Sequence, residues 1–86
     1  MVDGARIRLF ATAREAVGRE ELVWPVPSQG IPLGGLLRQL GERYHRLRPV
    51  LPTCRFFVNG ELVRPAGRRR LARGDEVAVH PPYSGG

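Results

Sequence analysis

The first hydrophobic pattern in the chain is an alternation. Across residues 5–9, Ala5, Ile7 and Leu9 fall on one side, while Arg6 and Arg8 fall on the other. A period of two predicts a half-buried strand with one wet face. Phe10-Ala11 ends it. Residues 12–17 read as a short helical turn closed by Gly18, which suits a left-handed C-terminal position. Residues 20–26 alternate again, with Leu22 and Trp24 set against Glu21 and Val23, and predict a second strand. The short connection makes an antiparallel pair the natural arrangement. Pro25, Pro27, Ser28, Gly30 and Pro32 then mark a loop.

From Leu33 the period changes to 3.6. Leu33, Leu36, Leu37, Leu40, Tyr44 and Leu47 share one helical face, with Arg38, Glu42, Arg43 and Arg46 on the others. A helix over 33–47 is predicted, with Pro32 in its first turn and Pro49 and Pro52 as its stop. Residues 54–58 are β-rich and run directly into Asn59-Gly60. Asn-Gly between β-prone runs is the strongest short hairpin signal, because both turn positions favour positive φ. Residues 61–64 form the return strand, 65–70 a basic loop, Arg73-Gly74-Asp75 a turn, and 76–80 a last strand with Val77 and Val79 inward. One amphipathic helix must cover one face of a mixed sheet, and the first and last strands are the candidates for a parallel central pair. Periodicity alone supports a small α+β domain, and the order β-β-α-β-β-β fits the β-grasp arrangement.

Composition narrows the class. At 86 residues one cored domain is expected. An apolar fraction of 42% with 26% charged residues excludes a disordered chain. The single cysteine, Cys54, excludes an internal disulfide framework and a cysteine-based zinc site. No apolar run is long enough to cross a bilayer and no secretory signal is visible, so a soluble cytoplasmic domain is expected. The net charge of +6 comes from 14 arginines and no lysine. Such a balance suits nucleic acid or an acidic protein surface, and an arginine-biased codon usage explains it equally well. A nucleic-acid face would need aromatic stacking platforms, and the few rings here are needed for the core, so nucleic acid is not the expected partner.

The C-terminal Pro81-Pro82-Tyr83-Ser84-Gly85-Gly86 is the most informative segment. The prolines cannot extend the sheet. Gly85 and Gly86 can enter a slot too narrow for any side chain, and six residues reach at most about 20 Å from the body. Three motifs accompany it: Leu9-Phe10-Ala11-x-x-Arg14-Glu15-x-x-Gly18, Phe57-Val58-Asn59-Gly60-Glu61, and Leu71-x-x-Gly74-Asp75-Glu76-Val77-Ala78-Val79-x-Pro81-Pro82-x-x-Gly85-Gly86. In this order the chain resembles the small subunits of molybdopterin synthase, within the prokaryotic ubiquitin-like sulfur carriers that also include the thiamine-pathway carrier. The resemblance runs from about Ile7 to Gly86 and implies an α+β, ubiquitin-like β-grasp fold. Such a fold has about five strands packed on one main helix. The domain would cover residues 1–80, and residues 81–86 would form a flexible, extended Gly-Gly tail.

The resemblance also implies a mechanism. The Gly86 carboxylate, ionised at neutral pH and a poor electrophile, would be adenylated by an ATP-using, E1-like partner. A sulfur-donor enzyme would then convert it to a thiocarboxylate. That sulfur would be passed to precursor Z (cyclic pyranopterin monophosphate) inside the large subunit, in a heterotetramer of two small and two large subunits. The small subunit would bring the reacting atom and have no active site of its own, no bound cofactor and no metal. Pro81, Pro82, Tyr83, Ser84 and Gly85 would line the tail's passage, and Phe56 and Phe57 are candidate partner contacts. The two phenylalanines are adjacent and point to opposite faces, so one belongs to the core and the other either to a partner patch or to a second small cluster under a loop. Cys54 reads as a small, buried residue. His45 reads as solvated, and His80, just before the tail, as no site residue, with a partner contact only the minor alternative there. Arg68-Arg69-Arg70 is either a solvated loop or a docking patch. The same tail chemistry also fits a carrier for tRNA thiolation, cysteine, thiamine or a specialised metabolite, or a ubiquitin-like modifier joined to lysines. A chain without lysine offers no side-chain amine of its own to an activated C-terminus.

Overall fold

The computed structural model describes residues 3–64 and 68–82. Tyr83, Ser84, Gly85 and Gly86 lie outside the described residues. The chain begins with strand β1 (Gly4–Leu9), helix α1 (Ala11–Val17) and strand β2 (Glu21–Pro25). A two-residue strand β3 (Ile31–Pro32) leads into helix α2 (Leu33–Arg43). Two 3-10 turns, His45–Leu47 and Leu51–Thr53, connect it to strands β4 (Arg55–Val58) and β5 (Glu61–Val63). Strands β6 (Arg70–Leu71) and β7 (Glu76–His80) complete the fold.

The main sheet has the order β2-β1-β7-β4-β5. At its centre β1 and β7 run parallel, with Ile7 opposite Val77 and Leu9 opposite Val79. The β1–β2 and β4–β7 pairs are antiparallel. The alternation of residues 5–9 is therefore a strand whose apolar side is sealed: Ala5, Ile7 and Leu9 are buried, while Arg6 and Arg8 are exposed. Leu33, Leu36 and Leu40 of α2, at helical spacing, close the core over that inner face with Val77 and Val79.

Turn chemistry follows the residue types. Gly18 adopts φ 83° and its N–H donates to the Arg14 carbonyl at 2.7 Å, capping α1. Asn59 and Gly60 both take positive φ, 50° and 85°, which joins β4 to β5 in a tight hairpin. Asn59 also ties that hairpin to the start of β7. Its side-chain amide donates to Asp75 at 3.0 Å, and its side-chain oxygen accepts from the Glu76 N–H at 2.9 Å.

Three expectations are corrected. Helix α2 ends at Arg43, not near Leu47, because Tyr44 turns out of the helix to φ −122°, ψ 89°. Leu47 still reaches the core, from a 3-10 turn. The prolines at 49 and 52 therefore follow the helix end instead of causing it. Pro32 caps the helix from outside and does not sit in its first turn. The small β3–β6 ribbon, with Ile31 opposite Leu71, joins segments some forty positions apart and had no local signature. Gly30 makes that ribbon possible. It has φ +86°, and a Cβ there would stand 2.6 Å from the Leu71 carbonyl oxygen. Gly30→Ala therefore combines backbone strain with a backbone clash, and is expected to destabilise by about 2 kcal/mol or more, read as a fall in the urea midpoint at unchanged m-value.

Candidate functional site

Strand β7 ends at His80, and Pro81-Pro82 leave the sheet there. Because β7 lies between β1 and β4, its last residue is flanked by side chains from two strands distant in sequence. The His80 ring stacks on Phe10, with centroids 4.1 Å apart and planes within 12°. Phe57 meets the same imidazole edge-on at 5.2 Å and 82°. The Arg8 guanidinium lies 5.4 Å from the Phe10 centroid, within cation–π reach. Cation, ring, imidazole and ring thus form one layered cluster on the outer face of the sheet, half-buried and open to solvent on one side. Ala78 stands opposite Phe57 on β7, and Leu62, 38% exposed, opposite it on β5, so the cluster continues as an apolar strip toward that sheet edge.

Toward β2 this face is charged and internally paired, whereas Arg55, opposite His80 on β4, is exposed and has no ion pair among the described residues. Arg6 donates to Glu76 and lies 3.8 Å from Glu21, and Arg8 approaches Glu76 at 3.9 Å. Glu76, with help from Glu21, holds the Arg6 guanidinium even more firmly protonated than an ordinary arginine. Beside Phe10, residues Arg8, Arg14, Glu20 and Glu21 border a hollow of about 360 Å³, with Arg14 and Glu20 paired across it at 3.3 Å. The outer face therefore offers an apolar centre whose rim is largely paired on the β1–β2 side. This layout suits a protein partner better than a polyanion.

The sequence candidates separate on this frame. Phe57 and His80 come together. Pro81 and Pro82 follow directly from the cluster, while Tyr83, Ser84, Gly85 and Gly86 lie outside the described residues. Phe56 is corrected: it is 7% exposed on the core face and belongs to the packing, not to a partner surface. Adjacency assigned the two rings to opposite faces, and the pairing of β4 with β7 decides which is which. His45 is exposed, away from this cluster. Of the arginine run, Arg69 pairs with Glu61 at 2.8 Å and Arg70 donates to the Gln29 carbonyl at 3.1 Å, so both brace the loop. Phe10 and Arg8 were missed as site residues. The signal was present, since extending the alternation of Arg6 and Arg8 by one step places Phe10 on the same outer face.

Cys54 is half-buried and its thiol donates to the Val50 carbonyl at 3.3 Å. Burial pushes the thiol pKa up, against a smaller opposing effect of the Thr53 side chain. The folded thiol holds its proton more tightly than the unfolded one. Its contribution to stability is thus complete below the ordinary thiol pKa of about 8.5, and is lost as pH rises from there through the folded value. Alkylation by iodoacetamide at pH 8 is expected to be slower for the folded chain than for the same chain in urea. Among the described residues, no group of three or more His, Cys, Asp or Glu side chains converges on a point where a metal ion could sit.

A five-stranded mixed sheet, a main helix across its inner face and a last strand leading out beside an exposed aromatic cluster define a ubiquitin-like β-grasp domain. The chain belongs to the ThiS family, whose profile matches residues 7–86. It is 38% identical over 81 residues to a Chlamydomonas reinhardtii protein named molybdopterin synthase sulfur carrier subunit, covering 94% of this chain and 96% of that one. It is 36% identical to small archaeal modifier protein 3 of Haloferax volcanii, covering 93% and 96%. Among solved structures, the Haloferax volcanii HVO 2177 protein in solution superposes with a TM-score of 0.80 at 33% identity, over 95% of this chain and 85% of that one.

Proposed function

We propose that this chain is a sulfur carrier, the small subunit of a molybdopterin synthase. The near full-length similarity to the Chlamydomonas carrier subunit is the observation that supports this reading most strongly. In this reading the Gly86 carboxylate attacks the α-phosphorus of ATP on an adenylating partner and releases pyrophosphate. A hydrosulfide equivalent from a sulfur donor then adds to the acyl carbon and expels AMP, leaving a thiocarboxylate. The ionised sulfur attacks an electrophilic carbon of precursor Z held by the large subunit, and water then cleaves the acyl carbon–sulfur bond, leaving the sulfur on the precursor and restoring the Gly86 carboxylate. The need for ATP places the work in the cytoplasm. The chain's own contribution is positioning: Pro81-Pro82 direct the tail away from the sheet, and the Phe10–His80–Phe57 cluster seats the partner around its base. ATP is consumed by the partner, and the carrier itself holds no cofactor.

The test is an intact mass after co-expression with the adenylating enzyme and sulfur source. The expected product gains the mass difference between a sulfur and an oxygen atom, and fragmentation locates it on Gly86. An unchanged chain under conditions that load a known carrier would overturn the reading. Docking makes a separate prediction. Phe57→Asp places a charge in the apolar centre and is expected to weaken binding to the large subunit about tenfold or more, measured by calorimetry, with a nearly unchanged Tm because Phe57 is not a core residue.

A second reading has its own support in the similarity to the archaeal modifier protein. A ubiquitin-like modifier would join its activated Gly86 to lysine amines of other proteins. Gly-Gly remnants on lysines in digests of the host proteome, dependent on this chain, would favour it. Their absence with thiocarboxylate present would favour the carrier.

A further inference from the structure

The helix layer carries a second surface, unrelated to the tail. Leu33, Leu36 and Leu40 enter the core, but Leu37 and Gly41 face sideways toward the 3-10 turn Leu51–Thr53. Between them lies a groove of about 310 Å³ whose apolar walls are Leu37, Gly41, Leu51 and Pro52. Gly41 shapes it. A Cβ there would stand 3.1 Å from Arg48 Cγ and 3.8 Å from Leu51 Cδ1, so glycine lets the Arg48 stem lie against the helix.

Arg38 on the helix and Arg48 across from it form the rim, with Glu42 as the one acidic residue of the lining. Arg43 and Arg46 extend the basic character beyond it. Among the described residues, side-chain ion pairs within 4.0 Å engage Arg6, Arg8, Arg14 and Arg69, and none of these four. On the outer sheet face Glu21 and Glu76 balance Arg6 and Arg8. The groove lining sets Arg38 and Arg48 against Glu42 alone, so positive charge is in local excess where the apolar groove opens.

We propose that this groove docks an acidic segment of a partner polypeptide, with an apolar side chain on Leu37, Leu51 and Pro52 and carboxylates at Arg38 and Arg48. Charge complementarity selects the acidic flanks, and the apolar walls select the anchor. Nucleic acid fits less well, because it needs exposed rings for stacking. The nearby Tyr44 has Arg43 5.2 Å from its ring centroid and packs against Trp24 at 6.5 Å. The groove lies on the helix layer and the aromatic cluster on the opposite side of the sheet. A partner bound here leaves the cluster and the start of the tail uncovered, so the two surfaces can be occupied together.

The experiment is a titration of the 15N-labelled full chain with a short synthetic peptide in which aspartates flank a central leucine–phenylalanine pair. Saturable amide shifts are expected at Leu37, Arg38, Gly41, Arg48 and Leu51. The double variant Arg38→Glu, Arg48→Glu should lose affinity about tenfold or more, and Phe57→Asp should leave it unchanged. Both arginines are exposed, so an unaltered amide spectrum for the rest of the double variant confirms its fold. Shifts confined to the outer sheet face, or no saturation, would overturn the proposal. So would equal affinity for a polyaspartate peptide lacking the apolar pair or for oligothymidylate of matched charge, since either result would mean only a general attraction for polyanions.

Discussion

Deletion of Gly86 is expected to abolish sulfur loading and transfer while leaving thermal stability unchanged. The proposed reaction asks one atom of this chain, the acyl carbon at its end, to reach two partner sites in turn. Removing one extended residue shortens the reach by about 3.5 Å. A misplacement of only about 1 Å can cost a hundredfold in rate. The shortened chain still ends in a carboxylate, on Gly85, so its failure would report position and not loss of the functional group. The fold is expected to have little stake in the change, because β7 ends at His80 and the core formed by the described residues runs from Ala5 to Val79. Single-turnover conversion with the adenylating enzyme, read by mass, measures the loss, and a melting curve of the same sample is the control. Gly85→Ala separates slot width from reach. It keeps the length and adds one methyl group, so transfer should fall while the carboxylate remains in register. Full loading of the Gly86 deletion would overturn the positional requirement placed on the last residue.

The second large effect concerns the core. Leu40→Ala is expected to cost about 2–5 kcal/mol, out of a total near 5–15 kcal/mol for a domain of ordinary stability. At this chain length each kcal/mol lowers Tm by about 4–8 °C, so the variant should melt at least 10 °C or so below the parent. Leu40 is fully buried beneath α2 in the cluster that contains Ile7, Leu36 and Val77, and a helix of only 11 residues cannot stand without that contact. Gly34, Gly35 and Gly41 all lower its intrinsic propensity. Leu37→Ala is the matched comparison, three residues earlier and half-buried on the groove side. It should cost distinctly less. Equal losses at 37 and 40 would mean that the helix is rotated from the orientation described, and the groove would go with it.

How far the chain can be read without its structure depends on the range of each interaction. Arg6, Ile7 and Arg8 announce a strand because alternation is a local property. Asn59-Gly60 announces its hairpin because two consecutive residues must accept positive φ, and both do. The parallel β1–β7 pair follows from having one long crossover and one amphipathic helix to cover it. The end of α2 was less legible. The 3.6 pattern continues through Tyr44 and Leu47, yet it records only which side chains turn inward, not how the backbone is bonded. Leu47 reaches the same core from a 3-10 turn after the helix has broken. The relatives it resembles could be named from scattered motifs, because a β-grasp chain repeats its turn residues at fixed places.

Taken alone, the sequence determined the five strands of the main sheet, the tight turns, the amphipathic helix and the Gly-Gly motif, all set by neighbours along the chain. Tertiary structure decided the rest. It chose Phe57 over Phe56 for the outer face through the β4–β7 register. It brought Phe10 and Phe57 onto His80 from strands on either side of β7. It also told apart arginines that the sequence presents simply as an excess of +6, pairing Arg6 and Arg8 with Glu21 and Glu76 on the outer sheet face and leaving Arg38 and Arg48 beside α2 without an ion pair among the described residues. Those outcomes depend on contacts between residues tens of positions apart, which exist only once the core has closed.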